Sequence, residues 1–333
     1  MAAQIAHFGR RTDGRPVHAV TLRDGILTAT VLTHGAILQS LCLAGAAHSL
    51  TLGSPDLAAY EGDMAYFGAI IAPVANRIGG ATAAINGQAH HFAANEGANT
   101  LHSGPTGAQH ALWHLADHGP AHATLTLTLP HGTGGFPGTR QITATYRLSG
   151  DTLTLDIAAS TDAPTLMNIA HHGYWNLDGS PTWAGHTLQI RADHILPTDP
   201  ANLPTGTIQP LAGHPHDFRQ PRCIMPAALP PLDHNFCLAP ARRALTPALR
   251  LTGRSGITLD LATTEPGLQI FDAAPINTGA LATLHNRPYT AHCALAIEPQ
   301  AWPDAPHNPR FPNIALYPDD PYAQTSTFRF SAA

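Results

Sequence analysis

Apolar and polar residues alternate one by one along much of the chain. The pattern is plainest in "ATLTLTL" (123–129), "QITATYRL" (141–148), "DTLTLDIAA" (151–159) and "HTLQIRA" (186–192). Successive side chains of an extended strand point to opposite faces, so this period predicts strands with one packed and one wet face, as in antiparallel sheets. Gly, Pro, Asn and Asp at 132–138, Asp178-Gly179 and 197–204 place turns between them. Helical periodicity is weak. Its best stretch, "DLAAYEGDMAYFGAI" (56–70), contains Gly62 and Gly68 and predicts only a short helix. No repeat, charged tail or low-complexity linker divides the chain. The expected architecture is all-β: one large antiparallel β-sandwich domain over residues 1–333 with few short helices.

Composition narrows the function. Charged residues make up 12% of the chain, about half the ~25% of typical soluble domains. With a formal net charge of −5, nothing suggests a nucleic-acid or membrane partner. The N-terminal "MAAQIAHFGRRTDGRP" lacks the apolar centre of a signal peptide, and the expected location is cytoplasmic. All 17 basic residues are Arg. Without Lys there is no Schiff-base lysine, no pyridoxal-phosphate lysine and no phosphate-loop lysine. "HGTGGFPG" fails the dinucleotide-binding pattern at Pro137, and zinc-protease and nucleophile-elbow motifs are missing. Cys42, Cys223, Cys237 and Cys293 are too scattered for a disulfide framework or zinc knuckle. No cofactor is expected, and any chemistry falls to ordinary side chains.

Two positions stand out. Glu298, one of four glutamates, follows the apolar run "CALAI" and precedes "PQAWPDAPHNPRFP". A carboxylate at the end of a buried strand loses hydration, which moves its pKa up towards the range of a useful base. The competing reading is a loop cap or an Arg partner. His172 ends the strand-like "PTLMNIA" run and opens the aromatic stretch "HHGYWNLDG". As one of 22 histidines it could equally be a filler. Metal ligation by His171 and His172 is disfavoured, because neighbours on a strand point to opposite faces. His214 and His216 could share a face, but no carboxylate or Cys cluster accompanies them. Arg77 in "VANRIGG", His102 in "NTLHSG" and Asp233 in "LDHNFCL" are weak signals individually.

In sequence order, these segments resemble the aldose 1-epimerase (galactose mutarotase) family over nearly the whole chain. "THGAILQSL", "ANRI", "NTLHSG", "GGFPG", "HHGYWNLDG", "LPTG", "HDFR", "LDHNF" and "EPGLQIFD" each resemble a family segment. The most specific is "IEPQAWPDAPHNPRFP". There are departures: His171 stands where the family usually has an amide, Ser103 replaces a Gly, Phe271 a Tyr, and Asp272 a small polar residue.

The resemblance implies a galactose mutarotase-like supersandwich with an open concave face, and interconversion of the α and β anomers of a free aldose. Opening the hemiacetal needs a base at O1 and an acid at ring oxygen O5, with no cofactor and no metal. The resemblance implies Glu298 as base, His172 as imidazolium acid, and His102 as a further donor. It also implies sugar contacts from Asn76, Arg77, Asp233 and Gln269, and from the adjacent Gly173, Tyr174 and Trp175. Tyr174 and Trp175 would offer an aromatic wall to sugar C–H faces, with simple core packing an equal alternative. The expected partner is a monosaccharide, and monomer and homodimer both stay open. Rival readings are a carbohydrate-binding or sensor protein that has lost turnover, a metal-dependent enzyme, and an isomerase of a modified sugar. A phosphorylated sugar would want clustered Arg, and "APARRALTPALR" (239–250), expected as a solvated loop, is the only basic cluster.

Overall fold

The computed structural model describes residues 4–332. Two antiparallel sheets dominate it. The larger has nine strands, in spatial order His114–Gly119, His122–Leu129, Arg140–Ser149, Thr152–Thr161, Tyr322–Ser331, Thr258–Thr263, Thr246–Thr252, Thr187–Ile190 and Arg222–Cys223. Its long strands show why alternation was so clear. In Arg140–Ser149 and Tyr322–Ser331 every second residue is buried, and those between are partly or fully exposed. The smaller sheet has six strands: Gly173–Trp175, Leu295–Gln300, Gly267–Phe271, Asp233–Cys237, His194–Ile195 and Gln209–Pro210. A four-stranded sheet, Gln4–Arg10 to Leu38–Leu43, adds to the main core through Val20, Leu22, Val31 and Leu41.

One face of the six-stranded sheet packs on the nine-stranded sheet. Leu295, Ile297, Leu268, Ile270 and Phe236 meet Leu259, Leu261, Phe328 and Phe330 in one cluster. Residues one position along point the other way. Register pairs Asn235 with Gln269 and Gln269 with Glu298, and His172 falls next to Glu298 by extension of the Gly173–Ile297 pair. Pleating therefore brings four polar residues from four chain segments into one row on the sheet's outer face.

Several expectations change in detail. The 56–70 stretch holds only the helix Leu57–Tyr60, the one α-helix among the described residues, and continues as turns up to Gly68 at φ +69°. The 163–171 region is two short strands, Thr165–Leu166 and Ala170–His171, which pair with Ala315–Leu316 and Ile70–Ile71. Glu298 lies inside its strand, not at its end. The basic stretch 239–250 is loop only at first, because Thr246–Thr252 joins the large sheet. No helix among the described residues is long and apolar enough to cross a membrane.

Candidate active site

A cavity of about 330 Å³ opens over the outer face of the six-stranded sheet. Its lining includes Asn76, Arg77, His102, His172, Tyr174, Asp233, Phe271 and Glu298, so eight of the residues singled out in the sequence converge here. They come from strands and loops up to 222 positions apart (Asn76 to Glu298).

His172 sits between two short strands and is gripped by its backbone. Its N–H donates to the Ala69 carbonyl and its carbonyl accepts from the Gly68 N–H, both at 2.9 Å. Its ring stacks on Tyr174 with centroids 5.0 Å apart, and Nε2 lies 3.5 Å from Glu298 Oε1. Both side chains are almost wholly buried, and neither His172 Nδ1 nor Glu298 Oε2 has a partner among the described residues.

Burial penalises charge on both members of this pair. Glu298 is pushed well above the ordinary carboxylate range by desolvation, helped by the nearby Asp233 charge and opposed by Arg77. His172 is pushed down to about 3, chiefly by desolvation. The imidazolium expected from the sequence is thus not the form burial favours. Burial favours the uncharged form of each, the neutral imidazole of His172 and the carboxylic acid of Glu298.

His102 is held in a reciprocal lock. The Asn76 N–H donates to His102 Nδ1 at 3.1 Å, and the His102 N–H donates to the Asn76 carbonyl at 3.0 Å. Burial lowers the His102 pKa well below its ordinary value, as do His172 and Arg77. With Nδ1 accepting, the neutral ring carries its proton on Nε2 and acts there as a donor. Asn76, His102 and Ser103 all adopt left-handed backbone, at φ +62°, +51° and +62°. Such conformations are costly for residues with a Cβ and collect at functional sites. Ser103 holds its own by bonding both backbone groups of Val74, at 2.8 and 2.9 Å. The departure at Ser103 is thus a structural brace.

Arg77 is the one arginine in the cavity lining. Glu96 takes its Nε–H and one Nη2–H side-on, while Nη1 reaches Asp233 Oδ2 at 3.5 Å. Burial opposes the guanidinium charge, but Glu96 and Asp233 outweigh it and raise the Arg77 pKa. Asp233 accepts from Gln269 Nε2 through its other oxygen. Desolvation nonetheless leaves Asp233 above its ordinary value, against Arg77 and Gln269.

Two expectations need correction. Trp175 does not form an aromatic wall of the cleft: it is 0% exposed, stacks on Phe328 and packs at a tilt against Phe330, with centroids at 5.3 and 5.7 Å. Gly173 faces the same way, and a Cβ there would stand 2.7 Å from His171 Cε1 and 2.9 Å from Trp175 Nε1. The cause is strand parity, since His172 and Tyr174 point to the cavity and the residues between and after them cannot. Gln269 stands in the row beside Glu298: its Nε2–H donates to Asp233 Oδ1, and its Oε1 has no partner among the described residues. His171 follows the same parity. Its ring lies edge-on to Phe328 and Tyr146 in the core, and burial takes its pKa to about 4.

Sequence reasoning missed Tyr66 and Glu96. The Tyr66 ring packs 4.8 Å from His102 and 5.9 Å from His172. The arginines of 239–250 do not line the cavity. Arg242 pairs with buried Glu265 and lies 4.0 Å over the Tyr322 ring, while Arg250 pairs with Asp260. The His214 and His216 rings pack with His234 elsewhere, and no group of three His, Cys, Asp or Glu among the described residues is placed to hold a metal ion.

Comparison with known proteins gives the same direction as the geometry. Residues 18–329 match the profile of the family described as aldose 1-epimerase. Human galactose mutarotase is 33% identical over 331 residues, covering 96% of either chain. The Escherichia coli aldose 1-epimerase is 29% identical, covering 96% of this chain and 97% of that one. Among solved structures, an aldose epimerase homologue from C. elegans superposes with a TM-score of 0.87 at 30% identity, covering 95% of this chain and 99% of that one. The family match spans nearly the whole chain, and with it the segments that build the cavity: this chain belongs to the aldose 1-epimerase family.

Proposed function

We propose that this chain catalyses the interconversion of the α and β anomers of a free aldose, with Glu298 and His172 moving the protons. The observation that carries the reading is the buried pair itself, with His172 Nε2 3.5 Å from Glu298 Oε1 at the floor of a sugar-sized cavity. Ring opening removes the O1 proton and adds one to O5. In the reactive form the pair is carboxylate and imidazolium, reached by moving the shared proton from Oε1 to Nε2. Glu298 takes the O1 proton, the C1–O5 bond breaks, and His172 gives its proton to O5. The pair is then carboxylic acid and neutral imidazole, the arrangement burial favours, while the open-chain aldehyde turns about C1–C2. Reclosure on the other face reverses both transfers. Each positioned proton transfer is worth roughly 10²–10⁴-fold. His102 Nε2–H supports the developing charge at the ring oxygen, and Arg77 and Asp233 hold hydroxyls.

A binding or sensor protein has no use for a matched donor and acceptor at one point of its cleft. A phosphorylated substrate would face a single lining arginine already engaged by two carboxylates. Polarimetry on freshly dissolved α-D-galactose and α-D-glucose tests the proposal. Optical rotation should relax faster than in buffer for at least one sugar, and relaxation at the buffer rate for both, and for pentoses and 6-deoxy sugars, would refute turnover.

The pH dependence follows from the shared proton. The active form holds one proton on the pair, lost on the acid side when His172 takes a second and on the alkaline side when Glu298 loses the first. Desolvation moves the first event down, to about 3, and the second well above the ordinary carboxylate value. The kcat/KM profile should therefore show no acid limb in the ordinary His range, and its alkaline limb should lie above the ordinary carboxylate range. A tenfold fall per unit as the pH is lowered below about 6.5 would mean a solvated histidine and contradict the burial argument.

Asp233→Asn removes the acceptor charge beside Arg77. KM should rise about tenfold or more, with a smaller fall in kcat from misplacement of the sugar. Steady-state rates from polarimetry check this, and near-wild-type values for both constants would remove Asp233 from the site.

A further inference from the structure

The Arg77–Glu96 pair has a geometry that matters for the sugar. Glu96 grips Arg77 along one edge, Nε and Nη2, with the Nη2 contact at 2.8 Å. The remaining N–H bonds of Nη1 and Nη2 lie on the other edge and carry only the 3.5 Å contact to Asp233 Oδ2. That contact is long for a charge-assisted bond, whose ordinary length is roughly 2.7–2.9 Å. Asp233 is already steadied through its other oxygen by Gln269. Arg77 is thus held short of closing fully onto Asp233.

We propose that Glu96 is a positioning residue for the sugar, one that acts through Arg77. By taking the side edge of the guanidinium, it leaves the end edge as two parallel donors for neighbouring hydroxyl oxygens. By neutralising Arg77, it keeps the Asp233 carboxylate available as the hydroxyl acceptor. Without Glu96, Arg77 has one carboxylate left within reach and turns onto Asp233 in a two-point pair. Donor and acceptor then satisfy each other, and the sugar has to break that pair to bind. The Glu96 side chain is 37% exposed, so its replacement leaves the packed core untouched. The inference rests on the aldose reading of this cavity.

The test compares wild type, Glu96→Gln, Glu96→Asp, Asp233→Asn and the Glu96→Gln/Asp233→Asn double variant. Polarimetric kcat and KM are read beside calorimetric Kd for D-galactose and D-glucose. Glu96→Gln is expected to raise KM and Kd about tenfold, the scale of one charge-assisted contact, with kcat within about threefold. The pH limbs should not move, because Glu96 transfers no proton. Glu96→Asp, which keeps the charge, should recover part of the affinity. The double variant should bind no more weakly than Asp233→Asn alone, since Arg77 then has no carboxylate to capture. Wild-type KM and Kd in Glu96→Gln would overturn the proposal. So would a loss confined to kcat, or full additivity in the double variant, which would mark Glu96 as an independent sugar contact. If wild type binds a sugar without turning it over, only the epimerase reading fails, because the Kd comparison still decides the role of Glu96. If wild type binds neither sugar, both fail.

Discussion

Glu298→Gln is expected to lower kcat by at least about 10²-fold, with KM within a few fold of wild type. The amide keeps the size and planarity of the carboxylate but cannot take up the O1 proton. Hydroxyl binding falls to Arg77 and Asp233, which the change does not touch. His172→Asn is expected to match that loss, since it keeps a polar group of similar reach and removes the proton for O5. The two groups serve one event at one hemiacetal, separated by 3.5 Å across the cavity floor. The double variant should therefore be far less than additive. Stopped polarimetry at saturating and limiting aldose checks the result. Turnover near wild type in either single variant, with the sugar bound as before, would defeat the assignment.

Trp175→Ala is expected to be the most destabilising change in this region, by about 3–5 kcal/mol, as for other buried Trp and Phe truncations. The side chain is 0% exposed and fills the space between the two sheets against Phe328 and Phe330. Its loss leaves a cavity that close-packed neighbours relax into only partly. Below the unfolding transition, kcat and KM should stay within about threefold of wild type, because strand parity points Trp175 away from the sugar. Urea denaturation and polarimetry on one preparation give both readings. Unchanged stability with a tenfold higher KM would return Trp175 to the cleft wall.

The legible and illegible parts of the sequence separate by burial. Arg140–Ser149, Thr152–Thr161 and Tyr322–Ser331 have one wet face, so their side chains alternate and announce strands. Leu295–Gln300 is buried at every position, one face by the core and the other by the cleft, so its pattern is continuous and its length ambiguous. That is why Glu298 reads as a strand end when it lies within the strand. The site itself could not be assembled from local pattern, because cross-strand register, set by long-range pairing, brings His172, Glu298, Gln269 and Asn235 into one row. The ordered family motifs supplied the list of residues but not their parity, hence Gly173 and Trp175 among the expected sugar contacts. Tyr66 was hidden within a stretch that reads as helix and folds as turns. Glu96 had one available signal: it is one of only four glutamates and lies six residues before His102.

The central claim is that one buried acid–base pair opens and recloses the hemiacetal. Exchange between the α and β H1 resonances of an equilibrated aldose, read by two-dimensional NMR exchange spectroscopy, tests it without any change in net composition. With D-galactose or D-glucose, wild-type protein should give α–β cross-peaks at mixing times where buffer gives none. The Glu298→Gln/His172→Asn variant should abolish them while still broadening the sugar signals by binding. Cross-peaks that persist in the double variant, or bound sugar without exchange in the wild type, would contradict the account.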